Sequence, residues 1–311
     1  MSELVKSYQI CWKVGIRARQ EGVLLSNPAF QIIKNPWYGW AADPFLFEKD
    51  GTTYIFAEVW NYFTQKGSIA YCTYKNGSIT QWKKVISEWY HMSYPFIWED
   101  DRGIHICAET NEAKKIYCYT AKCFPEKWIK EKSILEEGRY ADSTILFQDD
   151  KPAYMFTYAT DGENKGKLCR IKLKSDMSVD GKIDIITSNQ EIARPGGGFL
   201  EEGGILYRVA QNCSTSYGES LFFCRVLDTD GDYVEEKSFE RRYEDVSKGV
   251  NEACIGMHTY NRSKHFEVID FRIMHFNIFD YVFSRLMVLR NFIGRNVLKT
   301  IMIILKILKI K

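Results

Sequence analysis

No two of the nine cysteines in this 311-residue chain stand at Cys-x-x-Cys spacing. Zinc sites are built from close Cys or His pairs, so no metal site is expected, and the odd count argues against a disulfide framework. Reduced thiols packed as small hydrophobes are the expectation. The chain also lacks a Rossmann-type glycine motif and an Asp-x-Asp pair in a transferase-like setting, and no cofactor is expected. No uncharged apolar run approaches the roughly 20 residues that a membrane-spanning helix needs. The N-terminal MSELVKSYQICWKVG has no apolar core of signal-peptide length, which points to a cytoplasmic protein. With 42 basic and 40 acidic residues, net charge is only +2, which excludes a protein organised throughout around nucleic acid.

What is present is apolar and aromatic. Hydrophobic residues make up 45% and aromatics 15%, too much for chain-wide disorder. Short apolar or alternating runs recur at 53–59, 104–108, 153–158, 205–210 and 266–269, separated by turn residues such as Asp50-Gly51, Asn76-Gly77 and Asp161-Gly162. The runs also resemble one another. ADPFLFEKDGTTYIFAE (42–58) aligns without a gap on SYPFIWEDDRGIHICAE (93–109). Further copies begin at Ala141 and Ala193, with a weaker one over 256–270. Five copies, each with room for about four strands, predict an all-β fold, a five-bladed β-propeller over residues 1–272.

In a propeller the innermost strand of each blade lines a central channel. The equivalent strand-opening residues are Asp43, Tyr94, Asp142, Arg194 and His258. Two carboxylates, a phenol, a guanidinium and an imidazole are poor packing material, and a ligand pocket at one mouth of the channel is expected. Ala42-Asp43-Pro44-Phe45 with Gly51 and Tyr54-Ile55-Phe56 resembles the first blade of the five-bladed glycoside hydrolases of families 43 and 32. Residues 30–270 more closely resemble the propeller-like N-terminal domain of glucosamine inositolphosphorylceramide transferases and their bacterial relatives. That resemblance is carried by Ser93-Tyr94-Pro95-Phe96, Ala141-Asp142-Ser143, Arg194-Pro195-Gly196-Gly197, Tyr207-Arg208-Val209-Ala210-Gln211, Tyr217-Gly218 and His258-Thr259-Tyr260-Asn261. It implies sugar or glycolipid chemistry.

The hydrolase resemblance implies that Asp43 is a general base and Asp142 tunes the acid. The acid itself would open the fourth blade, where this chain has Arg194. Arginine stays charged and delivers no proton at neutral pH. Hydrolysis is therefore incomplete, and Arg194 with Arg208 and His258 is expected to make one side of the mouth positive, suited to a substrate carrying an anionic group. Tyr94 and Gln211 are further candidate substrate contacts, and Trp37, Tyr38 and Trp40 a candidate stacking platform for a sugar ring. Glu58 and Glu109, at the ends of equivalent strands, are open between channel carboxylates and blade-to-blade bonding.

Residues 276–311 switch to helical spacing and carry Arg285, Arg290, Arg295, Lys299, Lys306, Lys309 and Lys311 against the single acid Asp280, a charge of +6 that leaves 2 − 6 = −4 for the rest. A basic amphipathic helical tail over 273–311 is expected to lie on an anionic membrane surface. Two function classes follow. One is an enzyme of polysaccharide or glycolipid assembly acting on a nucleotide- or lipid-linked sugar. The other is a non-catalytic glycan-binding propeller that partners a separate glycosyltransferase, and a diverged glycoside hydrolase comes third.

Overall fold

The computed structural model describes residues 9–24, 27–229, 231–248, 250 and 253–289. Its hairpins turn where the sequence places turn chemistry. Asp50-Gly51 joins strand Gly39–Lys49 to Thr52–Asn61, Asn76-Gly77 joins Lys66–Lys75 to Ser78–Ile79, and Gly203-Gly204 joins Arg194–Glu202 to Ile205–Asn212, with both turn residues at positive φ in every case. Two-residue turns of this kind match the right-handed twist of the strands and close tight antiparallel hairpins. Glycine and Asp or Asn reach that conformation at low cost.

Five antiparallel sheets of four or five strands result, over 39–86, 93–135, 140–187, 194–242 and a fifth built on 254–275. The fold is the five-bladed propeller that the repeat predicts. Inner strands Gly39–Lys49, Ser93–Asp100, Tyr140–Gln148, Arg194–Glu202 and Tyr260–Arg262 ring the axis, each touching the next. Apolar side chains such as Phe56, Ile106, Met155, Val209 and Ile269 are fully buried between blades. All nine cysteines are free thiols, six of them buried.

The repeat does not foretell how the ring closes. Strand Gln9–Ala18 lies in the fifth blade, antiparallel to Phe266–His275 along its whole length, from Gln9 opposite His275 to Ala18 opposite Phe266. The two ends of the propeller are thus zipped into one sheet. A buried ion pair ties the zip, with Arg17 Nε 2.7 Å from Glu267 Oε1 and both side chains almost wholly covered. A helix over 278–289 follows the last strand, and residues 290–311, with six of the seven tail bases, lie outside the described residues. Among the described residues no helix is long and apolar enough to cross a membrane.

Removing one partner of a buried pair strands the other charge, so Arg17→Met should cost roughly 3–5 kcal/mol. Urea denaturation of the full chain should show this as a single transition at lower midpoint, because the fifth blade closes the ring.

Candidate active site at the channel mouth

The repeated strand openings have one backbone device in common. Strand pairing breaks between Ala42 and Phe45, Ser93 and Phe96, Ala141 and Thr144, and Pro195 and Phe199. In the first three blades the bulged residue is Asp43, Tyr94 or Asp142, each left-handed at φ +52°, +48° and +51°. A bulge re-aims one side chain out of the pleat, here toward the axis. Left-handed backbone costs a non-glycine residue energy, and such strain clusters at functional sites. In the fourth blade the bulge falls on glycine: Gly197 has φ +150°, and a Cβ there would sit 2.0 Å from the Tyr260 carbonyl oxygen.

Below the mouth a hydrogen-bonded girdle passes through all five blades. The Gly197 amide donates to Tyr94 Oη (2.7 Å), which lies 2.8 Å from Thr144 Oγ1, and the Gly198 amide donates to Asn261 Oδ1 (2.6 Å). Asn261 Nδ2 donates to the Pro44 carbonyl (2.8 Å), and the Tyr94 amide donates to Asp43 Oδ2 (3.2 Å), closing the circuit. Tyr94 is fully buried with its hydroxyl satisfied. Its hydroxyl is spent within the girdle, which leaves it no exposed surface for the substrate contact that the sequence suggests.

Above the girdle lie the ionisable groups. Asp43 accepts from the Thr259 hydroxyl (2.7 Å) and stands 3.4 Å from His258 Nε2. The other imidazole nitrogen, Nδ1, is 2.7 Å from Asp270 Oδ2, and the ring stacks on Trp12 at 3.8 Å. Asp270 is itself held by the amides of Asp43, His258 and Thr259. Burial pushes the Asp43 carboxyl up to about 6, with Asp142 and Asp270 adding to the rise and the His258 ring opposing it. Burial alone would lower His258, but the carboxylates of Asp270 and Asp43 outweigh it and raise the imidazole. The ligand atoms of Asp43, His258 and Asp270 lie within 4.8 Å of one another, a grouping invisible in the sequence. Amides and the Thr259 hydroxyl donate to these oxygens and the imidazole lies between the two carboxyls, which makes the trio a relay of hydrogen bonds and ion pairs.

Opposite, Asp142 Oδ2 takes Arg194 Nε in a short ion pair and Gln211 Nε2 at 2.9 Å. The other Gln211 N–H goes to the Pro195 carbonyl (2.7 Å). Gln211 is fully buried, so it positions Asp142 and has no donor left for a ligand. The far edge of the Arg194 guanidinium, Nη2, is 4.0 Å from Glu109 Oε2, and the Tyr217 ring covers Arg194 at 4.9 Å. Glu109 is held well above the usual carboxyl range by burial and by the Asp142 charge, against the pull of Arg194.

Three further expectations change. Arg208 is absent from the mouth: it is wholly buried on the outer side of its blade, forked onto Glu235 at 2.6 and 2.7 Å and donating to the Ile192 carbonyl (2.8 Å). His258 is almost fully covered, set between Asp43 and Asp270, and offers little surface for a ligand. With Arg208 gone and Arg194 set between Asp142 and Glu109, the mouth has no broad positive side. The proposed aromatic platform also divides. Trp40 stacks on Trp60 at 5.6 Å, while Trp37 stands edge-on to Phe63, away from it.

Sequence reasoning left Asp270, Thr259 and Trp12 without a role. The available signal was strand pairing. Glu58, Glu109 and Gln211 face Ala42, Ser93 and Arg194 across their hairpins, and Asp270, whose amide bonds the Thr259 carbonyl (3.2 Å), is their counterpart in the fifth blade. Trp12 enters from the closing strand, outside every repeat.

The sequence profile of the glucosamine inositolphosphorylceramide transferase 1 N-terminal family matches residues 31–276. The chain belongs to that family. It is 25% identical over 237 residues to glucosamine inositolphosphorylceramide transferase 1 of Oryza sativa subsp. indica, covering 73% of this chain and 30% of the relative. The Arabidopsis thaliana protein of the same name is 30% identical over 192 residues, covering 58% of this chain and 24% of the relative. The chain thus spans less than a third of the length of the curated relatives it matches. Among solved structures, the catalytic domain of the Coprinopsis cinerea GH62 α-L-arabinofuranosidase superposes with TM-score 0.57 at 12% identity, over 79% of this chain and 83% of that one. The Xanthomonas citri GH43_1 enzyme complexed with xylotriose superposes with TM-score 0.55 at 9% identity, over 76% and 87%. At such identities the likeness concerns the fold alone, the five-bladed propeller.

Glu58 supplies a direct test of the site's electrostatics. It is buried, its Oε1 has no hydrogen-bond partner, and burial followed by the charges of Asp43 and Glu109 holds its carboxyl well above the ordinary range. A carboxyl raised in the folded state keeps its proton longer there than in the unfolded chain, so stability falls as pH climbs past the unfolded value. Glu58→Gln should therefore raise the melting temperature at pH 8, on the order of 3 °C, and change it little at pH 5. Differential scanning calorimetry at the two pH values checks the sign.

Proposed function

We propose that this family member transfers a sugar from a phosphate-activated donor, nucleotide- or lipid-linked, to a hydroxyl of a glycolipid or polysaccharide, with Asp43 as base. Arg194 supports this reading, because its guanidinium, paired to Asp142, stands at the blade opening where a hydrolase of similar fold would need a proton donor. A departing phosphate leaves with the bonding electron pair and needs no proton, whereas an alkoxide does. A guanidinium edge suits that developing anion. Burial and the Asp142 charge hold the Glu109 carboxyl well above the usual range, so it opposes Arg194 less than an ordinary carboxylate would.

The step balances simply. The acceptor hydroxyl gives its proton to Asp43, its oxygen bonds the anomeric carbon, and the bond to the phosphate oxygen breaks toward Arg194. Asp43 at about 6 is a carboxylate at neutral pH yet basic enough to take part of a proton in the transition state. The Asp270–His258 pair and the Thr259 hydroxyl fix its orientation.

The experiment pairs turnover with binding, using a panel of nucleotide sugars and polyprenyl-phosphate sugars followed by thermal shift and product analysis. Turnover should rise with pH through about 6 and fall at least 100-fold in Asp43→Asn. Chromogenic aryl glycosides should not be cleaved. Binding of a glycan without turnover, unaffected by Asp43→Asn, would instead make the propeller a recognition module for a separate glycosyltransferase. Rapid aryl glycoside hydrolysis would overturn the reading of Arg194.

A further inference from the structure

The helix over 278–289 is amphipathic in the inverted sense. Its one acid, Asp280, is 9% exposed and accepts from Gln65 Nε2 at 2.8 Å, turned toward the first blade. Ile278, Val282, Leu286 and Leu289, at helical spacing, are 41–54% exposed. Phe279 and Phe283 seat the helix on Phe63 at 5.6 and 5.0 Å, and Phe63 carries Trp37 on its other side at 5.7 Å. Trp37 and Trp89 are 75% and 72% exposed, and they face a cleft of ≈ 730 Å³ shared with Met287 of the helix, the bases Lys66 and Lys84 and the acid Glu88. Indoles so open to water are costly unless something covers them.

All of this lies at the end of the propeller where the channel opens. Trp37 precedes the inner strand Gly39–Lys49 that carries Asp43, and Trp89 precedes the inner strand Ser93–Asp100 that carries Tyr94. Asn61, beside Phe63, pairs with Gly39 at the start of the first inner strand. Strand Phe266–His275 runs antiparallel to the inner strand of the fifth blade, so the helix that follows it begins at the same end.

We propose that this end of the propeller docks on an anionic lipid surface, with Trp37, Trp89 and the outward face of the helix over 278–289 entering the interface and the channel mouth facing the bilayer. Aliphatic side chains suit acyl chains, which a soluble glycan would not cover. Indoles favour the level of the headgroups, with the ring in apolar surroundings and the N–H in polar ones. The sign of charge selects the lipid: residues 276–311 hold seven bases, and their one acid is turned inward. Each base near an anionic leaflet adds attraction that salt screens. A substrate anchored in that bilayer would then approach Asp43 and Arg194 from the membrane side. Docking needs none of the mouth residues and so does not depend on the transfer chemistry.

The test uses the full chain with phosphatidylcholine vesicles, with and without phosphatidylglycerol. Flotation should show binding to the anionic vesicles that salt weakens, and brominated lipid should quench tryptophan fluorescence. The double variant Trp37→Ser/Trp89→Ser should bind on the order of tenfold more weakly and lose most of the quenching. The variant Val282→Asp/Leu286→Asp, both positions exposed, should likewise weaken binding while the melting temperature stays put. Equal binding to neutral vesicles, or quenching that survives in the tryptophan variant, would overturn the proposal. So would a chain that ignores both vesicle types and self-associates until the tryptophans are replaced, which would make this face a protein interface.

Discussion

Five carboxyl groups, those of Asp43, Glu58, Glu109, Asp142 and Asp270, share one desolvated channel mouth with the guanidinium of Arg194 and the imidazole of His258. Full ionisation of so crowded a set is prohibitively unfavourable at low dielectric, so the charge must be divided unequally. Pairing does the dividing. Asp142 has Arg194, and Asp270 has His258 and three amides. Glu58 and Glu109 have no comparable partner, and burial with the neighbouring charges holds both carboxyls well above the ordinary range. Asp43 falls between, close enough to neutrality to exchange a proton under ordinary conditions. That gradation converts a cluster of acids into distinct chemical roles.

The gradation depends on placement, and the backbone supplies it. Each bulge turns one side chain into the channel, and the girdle through Tyr94, Thr144, Gly197, Asn261 and Pro44 sets the distance between blades beneath it. Tyr94 serves both layers, since its hydroxyl belongs to the girdle and its amide holds Asp43. The glycine at 197 has the same logic, as any side chain there would push the fourth and fifth blades apart. Closure by the N-terminal strand makes the ring continuous and delivers Trp12 to the face of His258.

Residues within the repeats were readable wherever local pattern and tertiary role coincide. Asp43 and Asp142 follow the repeat to the axis, and two-residue turns form at Asp50-Gly51 and Asn76-Gly77, whereas Asp161-Gly162 lies in the longer loop over 160–167. Arg208 shows the limit. It sits in the most distinctive motif of the fourth repeat, yet strand alternation turns it outward to Glu235, twenty-seven residues on, in a strand with no distinctive pattern. Gln211, three residues later, points inward. Asp270 was hidden for the opposite reason: the fifth repeat is too degenerate for its hairpin register to be counted from the sequence.

The sequence alone determined that this is a repeating all-β chain whose strand openings carry acids and bases, and that its last segment is apolar and basic. Periodicity, turn residues and charge are local properties, and they survive in a string of letters. The tertiary structure decided which of those carboxyls are pushed up by burial, which are paired, and which side chains never reach the mouth. It also decided that the tail helix buries its acid and begins at the end where the channel opens. Those outcomes depend on distances between residues far apart in the chain, and on how much water the packed blades exclude, which no single repeat encodes.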